Sequence, residues 1–366
     1  MVKQFDRSLM EYPSVATRKS KVDIVKTSVE PKVYDLSKYD KSLVEHCGKI
    51  AEEIVSAKKS GAAVVCAFGA HSIKNGLGRL IGALLEEGYF THVCTNGAGI
   101  IHDWEFSYLG FSSEDVRENV AVGRFGTWKE TGEYINLSLA AGAYKGLGYA
   151  QAVGSFIMND GVYIPSIDEL EDAVADINNP DSVRAAAIDF KHVIELLKLP
   201  EGFLSVEHPF KDYSLHSYVA RSEGLFTCHP MFGHDIIYTH YSNYGPCIGR
   251  TAETDFLSYA DSISNLNHGV YLSIGSAVMS PMIFEKSLSM SRNVSLQKGG
   301  TIDDFAIHVC DLQKSAWDWS EGEPPMDNPA YYLRFMKTFN RMGGRIDYVS
   351  CDNRDILEIL YSLLHK

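Results

Sequence analysis

Short continuous apolar runs alternate along this chain with longer segments whose apolar residues recur at helical spacing. Residues 62–68 (AAVVCAF) form an unbroken apolar run. That suits a strand covered on both faces, as in a parallel sheet. Gly69-Ala70-His71-Ser72 is a turn, and Ile73, Leu77, Leu80, Ile81, Leu84 and Leu85 then mark one face of a helix. Gly88 closes the helix and a second apolar strand leads into Thr95-Asn96-Gly97-Ala98-Gly99. Residues 62–95 therefore predict a βαβ unit, the building block of open α/β sheets. Glycines directly after a strand let the backbone turn sharply and approach a ligand. A polar set, His102, Asp103 and Glu105, follows at once.

The alternation continues. Helices are predicted over 45–60, over 130–157 (loosened by Gly142, Gly146, Gly148 and Gly154), and over 165–176 and 182–197, the last two split by Asn178-Asn179-Pro180. A helix over 215–223 and a strand over 225–228 precede 229–245 (HPMFGHDIIYTHYSNYG), rich in histidine and aromatics with one acid, Asp235. A helix over 251–266 follows, then a strand over 270–274, the turn Gly275-Ser276-Ala277, and a helix opened by Ser280-Pro281. A strand over 305–309 leads to a loop over 313–327 carrying Trp317, Asp318, Trp319, Glu321 and Glu323. Asn328-Pro329 opens another helix, 346–350 is a strand, and Asp352 caps a last helix over 354–365. The pattern predicts a doubly wound, mostly parallel α/β sheet: an arm over 1–40 and a single domain over 41–366. Ligands on such sheets sit at the carboxyl ends of the strands near a switch point. The turns at 69–72, 95–99, 230–235, 275–277 and from Asp311 onward all follow strands, so that edge is the predicted site.

Composition narrows the function. Among 366 residues, 45% are hydrophobic and 22% charged, as in ordinary globular proteins. A net charge of −13 argues against nucleic-acid partners and anionic membrane surfaces, and suits a cationic ligand. Seven cysteines lie at irregular spacing without a C-x-x-C pair, which points to reduced thiols and a cytoplasmic protein. The N-terminal residues lack the apolar core of a signal peptide, and no run has the length of a membrane span.

The strand-end turns carry a resemblance. Thr95 to Gly99 is similar to a Thr-Ala-Gly-Gly turn of the deoxyhypusine synthase family, and residues 177–183 (INNPDSV) reproduce its Ile-Asn-Asn-Pro-x-Ser-Val segment. Gly233-His234-Asp235-Ile236-Ile237 resembles its Gly-Asp-Met-Ile with His234 inserted. Residues 270–290 resemble a stretch with a Gly-Gly-Gly-Val turn, and 346–353 the last strand with its Ala-Asp-Ala turn. The resemblance implies a Rossmann-like sheet that binds NAD, a homotetramer with sites at subunit contacts, and a small-molecule amine substrate. The family's reaction takes hydride from spermidine, moves its aminobutyl group onto an enzyme lysine as an imine, and passes it on; related homospermidine synthases use a free diamine as acceptor. Carried onto this chain, the cofactor residues are His71, Ser72, Thr95, Asn96, Gly97, Ala98, Gly99, Asp103, Gly275, Ser276, Ala277, Asp311, Asp352 and Asn353. The implied imine lysine is Lys337, and Asp235, Trp317, Asp318, Glu321 and Glu323 are the implied amine-binding set. Asp235 is expected to face that acidic loop. The chain departs from the family where a Lys-His-His set should follow the 275–277 turn: Met279, Ser280 and Pro281 stand there instead.

Without that histidine, His102, His71 or His240 can supply acid–base chemistry, and Asp235 completes the catalytic candidates. His102, Asp103, His229, His234, Asp235 and His240 are also metal-ligating types, but they show no H-E-x-x-H and no ligand spacing, so no resident metal is expected. Two function classes stand: an NAD-dependent transferase or oxidoreductase acting on an amine, and a divergent binding protein or metal-dependent hydrolase that keeps the fold without the lysine chemistry.

Overall fold

The computed structural model describes residues 2–366. The chain divides into two compact units: one built from the residues up to Thr27 with Ile100–Ser217 and Pro230–Asp255, the other from Ser28–Gly99, Tyr218–His229 and Phe256–Lys366.

The second unit holds a six-stranded sheet. Its strands are β1 (Val64–Phe68), β2 (His92–Thr95), β3 (Leu225–Cys228), β4 (Val270–Ile274), β5 (Ala306–Asp311) and β6 (Arg345–Ser350). Every pairing is parallel, in the order β6-β5-β4-β1-β2-β3. The first three strands step outward to one side of β1, and the last three step outward to the other side of β4. The sheet is therefore doubly wound and Rossmann-like, with its switch point between β1 and β4. All six carboxyl ends fall on one edge, as the turn positions imply.

Helices cover both faces, which explains why β1 and β4 are buried at every position. On one face Ile307, Val309, Tyr271 and Val65 pack against Phe284 and Leu288 of the Met279–Gln297 helix and Met336 and Phe339 of the Arg334–Asn340 helix. On the other, the Lys41–Ser60, Gly78–Glu86 and Asn353–Leu364 helices pack together. Asp40 caps the first of these through the amides of Ser42 and Leu43, and Asp352 caps the last through that of Arg354. The helix expected over 73–85 is two helices, Ala70–Lys74 and Gly78–Glu86, interrupted at Asn75-Gly76-Leu77.

The first unit is mainly helical. The segment expected as one loosened helix over 130–157 is Lys129–Tyr144 and Tyr149–Met158, broken at Gly146-Leu147-Gly148. With Asp181–Leu197 these helices enclose a core of Leu137, Phe156, Phe190, Val193 and Ile194. Two short antiparallel ribbons, Gly161–Ile164 with Gly202–Ser205 and Val22–Asp23 with Phe111–Ser112, add strands that the apolar pattern does not signal. Among the described residues no helix is long and apolar enough to cross a membrane.

Candidate functional site

At the switch point the ladder hydrogen bonds run one residue past the strands. Gly69 N–H donates to Ile274 O (3.0 Å), Gly275 N–H to Cys310 O (2.9 Å) and Cys351 N–H to Asp311 O (3.1 Å). The four turns after β1, β4, β5 and β6 are thereby held in register along one edge. The first two abut so closely that a Cβ on Gly69 would lie 2.1 Å from Gly275 O. Only glycine permits that approach.

These turns enclose a cleft of about 220 Å³ lined by His71, Asn75, Gly275, Cys310, Asp311, Leu312, Cys351, Asp352 and Asn353. Its polar wall is a small network. Asn75 Nδ2 donates to Asn353 Oδ1 (3.2 Å), Asn353 Nδ2 donates to Ser72 Oγ (3.3 Å), and Arg354 donates to Asn75 O (3.0 Å). Asp311 and Asp352 each accept a backbone amide on one oxygen, from Gln313 (3.1 Å) and Arg354 (2.8 Å). An ionised carboxylate can only accept, so both suit ligand hydroxyls, while the carboxamides offer donors as well.

Five residues named from the sequence as cofactor-binding, His71, Gly275, Asp311, Asp352 and Asn353, thus line one cleft, and Ser72 is bonded to its wall. Ser276 lies on the β4 turn, where its Oγ accepts Ser280 N–H (3.3 Å). Ala277 follows it. Asn75, Cys310, Leu312 and Cys351 also line the cleft, and no sequence motif marks them. Asn75 sits in the helix break that the apolar period hides, and the other three are apolar or neutral strand-end residues without a motif.

The turn from Thr95 to Gly99 lies at the end of β2, outside that lining, and its bonds tie it to its own backbone and to the neighbouring strands. Thr95 Oγ1 donates to Phe68 O (3.0 Å), and Asn96 Oδ1 accepts Gly99 N–H (3.0 Å). A Cβ on Gly99 would lie 2.3 Å from Thr95 Oγ1, so packing of the Gly97–Leu109 helix onto its own strand requires this glycine. Gly97 and Ala98 form its first turn.

In the first unit Asp103 is buried and accepts from Ser214 Oγ (2.5 Å) and Leu215 N–H (3.0 Å), which caps the Leu215–Val219 helix. Burial pushes its pKa up to about 6 against those hydrogen bonds. His102 Nδ1 lies 2.7 Å from Ser112 Oγ, which donates to Glu105 (2.5 Å). Glu105 also takes both guanidinium nitrogens of Arg18 at 2.7 Å and Thr131 Oγ1 at 2.9 Å. Burial alone would raise the pKa of Glu105; the Arg18 charge and these hydrogen bonds bring it below the ordinary value. Asp235 is buried and precedes the Ile236–Thr239 turn of 3₁₀ helix. His240 is buried against Gly132 with Nδ1 2.7 Å from Ser242 Oγ, and burial lowers its pKa to about 4. At neutral pH it is an uncharged imidazole.

The histidines and acids weighed as metal ligands do not assemble. His229, in the second unit, lies 3.1 Å from Thr227 Oγ1, which also meets His92 Nε2 at 2.8 Å. Burial lowers both histidines to about 3, so they are neutral core residues. His234 is exposed. Among the described residues, the one His/carboxylate constellation with ligand spacing is a different one, on the Lys41–Ser60 helix, β5 and β6.

The acidic loop of the second unit is largely self-satisfied. Asp318 caps the Trp319–Glu321 turn through Ser320 N–H (2.9 Å) and Oγ (2.7 Å). Trp317 Nε1–H donates to Gly322 O (2.9 Å). Glu323 pairs with Arg341 (2.5 Å) and with Lys337 (3.2 Å), and Glu321 is exposed. Lys337 is not the solvated lysine its helix position suggests. Its side chain is 15% exposed, with Nζ 3.6 Å from the centre of the Tyr331 ring. It does not line the cleft.

A larger cavity, about 320 Å³, opens in the first unit beside Ser138, Lys145 and Asn159, but its lining carries no histidine and no carboxylate. The candidate site is the strand-end cleft of a Rossmann-like α/β unit, because it lies at the switch point of the sheet. No protein-family model and no curated protein sequence matches the chain. Among solved structures it is similar to AgrE in a ternary complex with ornithine and NAD+, at 13% identity and a TM-score of 0.42, over 89% of this chain and 34% of that one. It is also similar to a conserved putative LOR/SDH protein from Methanococcus maripaludis S2, at 13% and 0.41, over 92% and 73%. A third is ArgZ, an arginine dihydrolase from the ornithine–ammonia cycle in cyanobacteria, at 12% and 0.41, over 90% and 32%. The chain spans about a third of the length of AgrE and ArgZ. At these identities the likeness concerns the fold alone, and the resemblance to deoxyhypusine synthase rests on the turns quoted above.

Proposed function

We propose that the second unit binds NAD along the carboxyl edge of its sheet and that the chain is an NAD-dependent enzyme. The observation that carries this reading is the cleft itself. It opens beside the switch point of a sheet in the 3-2-1-4-5-6 order, where dinucleotides bind across the crevice. Asp311 and Asp352 offer carboxylate oxygens to ribose hydroxyls, and Asn75 and Asn353 offer carboxamides to a base or amide edge. Pockets for whole drug-sized ligands span about 300–1,000 Å³, so this cleft takes one nucleoside half of NAD, and the rest follows the edge past Gly69. Titration calorimetry with NAD tests it. One equivalent should bind, and Asp352→Asn should weaken binding about tenfold or more, the scale of a lost hydrogen bond to a charged group at ~1.5–3 kcal/mol. No heat at millimolar NAD would retire the reading.

The finer reading is a deoxyhypusine synthase-like or homospermidine synthase-like transfer from a polyamine through Lys337. Its support is that the loop holds an ammonium group already: Lys337 lies between the Tyr331 face and the Glu323 carboxylate. Charge and cation–π attraction would serve a substrate amine there equally well. Forming an imine requires Lys337 to lose its proton and leave that seat to the substrate. Borohydride added with spermidine and NAD should then trap an adduct on Lys337, seen by peptide mass spectrometry. If none forms, the covalent step falls and the nucleotide site stands alone.

A further inference from the structure

We propose that His46, His308 and Asp347 form a zinc site, independent of the nucleotide cleft. The three residues come from separate elements of the second unit: the Lys41–Ser60 helix, β5 and β6. His308 and Asp347 are paired positions on neighbouring parallel strands, so their side chains leave the sheet on the same face. The helix lays His46 over them. One ligand atom of each residue lies within 4.8 Å of the other two.

The hydrogen bonding points to a cation. His46 Nε2 is 3.1 Å from Asp347 Oδ2, and His308 Nδ1 is 3.9 Å from the same oxygen. Neither nitrogen makes a hydrogen bond, although both are shielded from solvent. Buried ring nitrogens are rarely left so. His308 is 7% exposed, and its other nitrogen, Nε2, lies 2.6 Å from Glu53 Oε2. A carboxylate only accepts, so Nε2 carries the proton and Nδ1 presents a lone pair toward His46 and Asp347. A carboxylate that fixes the tautomer of a histidine from behind is the usual support of a metal-binding imidazole. Arg345 lies 3.7 Å from Glu53 and helps hold it.

Two imidazoles and one carboxylate form a borderline donor set that suits zinc, and the two nitrogens at 3.1 and 3.9 Å from the Asp347 oxygen lie near the ligand separation of a tetrahedral ion bonded at ~2.0–2.2 Å. Three protein ligands leave a fourth position. Asp347 is 46% exposed, so that position opens to water. The ion would pin the Lys41–Ser60 helix to the outer strands of the sheet and carry an exchangeable water there.

The test is titration of tag-free, reduced protein with zinc, and with cobalt(II) as a visible-absorption reporter. Wild type should bind one equivalent, show the intense d–d bands of tetrahedral cobalt, and melt at a higher temperature with zinc. His46→Gln and Asp347→Asn, both at partly exposed positions, should each lose that equivalent. Glu53→Gln should bind 10–100-fold more weakly. Cys310 and Cys351, with sulfurs 3.1 Å apart, are the competing soft ligands nearby, so Cys351→Ser must leave binding unchanged. Absence of binding by wild type, persistence in both His46→Gln and Asp347→Asn, or loss in Cys351→Ser would each overturn the proposal.

Discussion

Replacing Arg18 by methionine should unfold the first unit far more readily than an ordinary arginine change. The Arg18 and Glu105 side chains are each 2% exposed, and the pair is bidentate at 2.7 Å. Methionine fills part of the space but leaves the carboxylate with only the Ser112 and Thr131 hydroxyls. Breaking a buried pair from one side costs about 3–5 kcal/mol, a large share of the ~5–15 kcal/mol that holds a domain folded. The guanidinium also lies 5.6 Å from the Trp128 ring, so the Trp128 part of the tryptophan fluorescence reports on this unit. Urea unfolding followed by that signal gives the difference, and the double variant Arg18→Met with Glu105→Leu should recover most of it, since no charge is then stranded. The pH dependence has a defined sign. The folded pKa of Glu105 is depressed, so its stabilisation is present above the unfolded value near ~4.3 and is lost as pH falls through the folded value. The Arg18→Met penalty should therefore shrink in acid. A penalty under about 1 kcal/mol at pH 7, or one that grows on acidification, would refute the reasoning.

Gly69→Ala should cost about 1–3 kcal/mol through overpacking, because its Cβ would meet Gly275 O at 2.1 Å; it should also abolish nucleotide binding by calorimetry, since the switch-point turns must separate. Asp103 has a folded pKa of about 6, above the ~3.9 of the unfolded chain. The stabilisation from its protonation is fully present below pH ~4 and lost as pH rises through about 6, so the stability of wild type relative to Asp103→Asn should fall across that window in urea titrations. Tyr259→Phe removes the buried hydroxyl that donates to Tyr271 Oη at 3.0 Å and should lower thermal stability by about 0.5–1.5 kcal/mol.

The sheet was legible because parallel strands buried on both faces write themselves as runs such as AAVVCAF, and because β1 and β4 are each followed by a glycine and β5 and β6 end on or near an acid. From those positions alone one edge could be named, and His71, Gly275, Asp311, Asp352 and Asn353 do meet there in one cleft. What stayed hidden has physical causes. The apolar period runs straight across the break at Asn75-Gly76-Leu77, so it hides the turn that brings Asn75 to the cleft. The ribbon of residues 161–164 and 202–205 alternates burial only partly and pairs across the intervening residues 165–201, leaving no local signal. The glycine of the 95–99 turn looked like a ligand-binding feature, but its requirement comes from the Thr95 side chain. His46, His308 and Asp347 are far apart in sequence and meet only once β5 and β6 are paired.

The central claim is that NAD lies at the switch-point cleft, and a crystal of the full chain grown with NAD tests it most directly. The account predicts a nucleoside half of the dinucleotide between His71, Asp311 and Asp352, its ribose hydroxyls on the carboxylates and its pyrophosphate passing Gly69. Dinucleotide bound away from the β1–β4 edge, or a cleft left with solvent at saturating NAD, would contradict it.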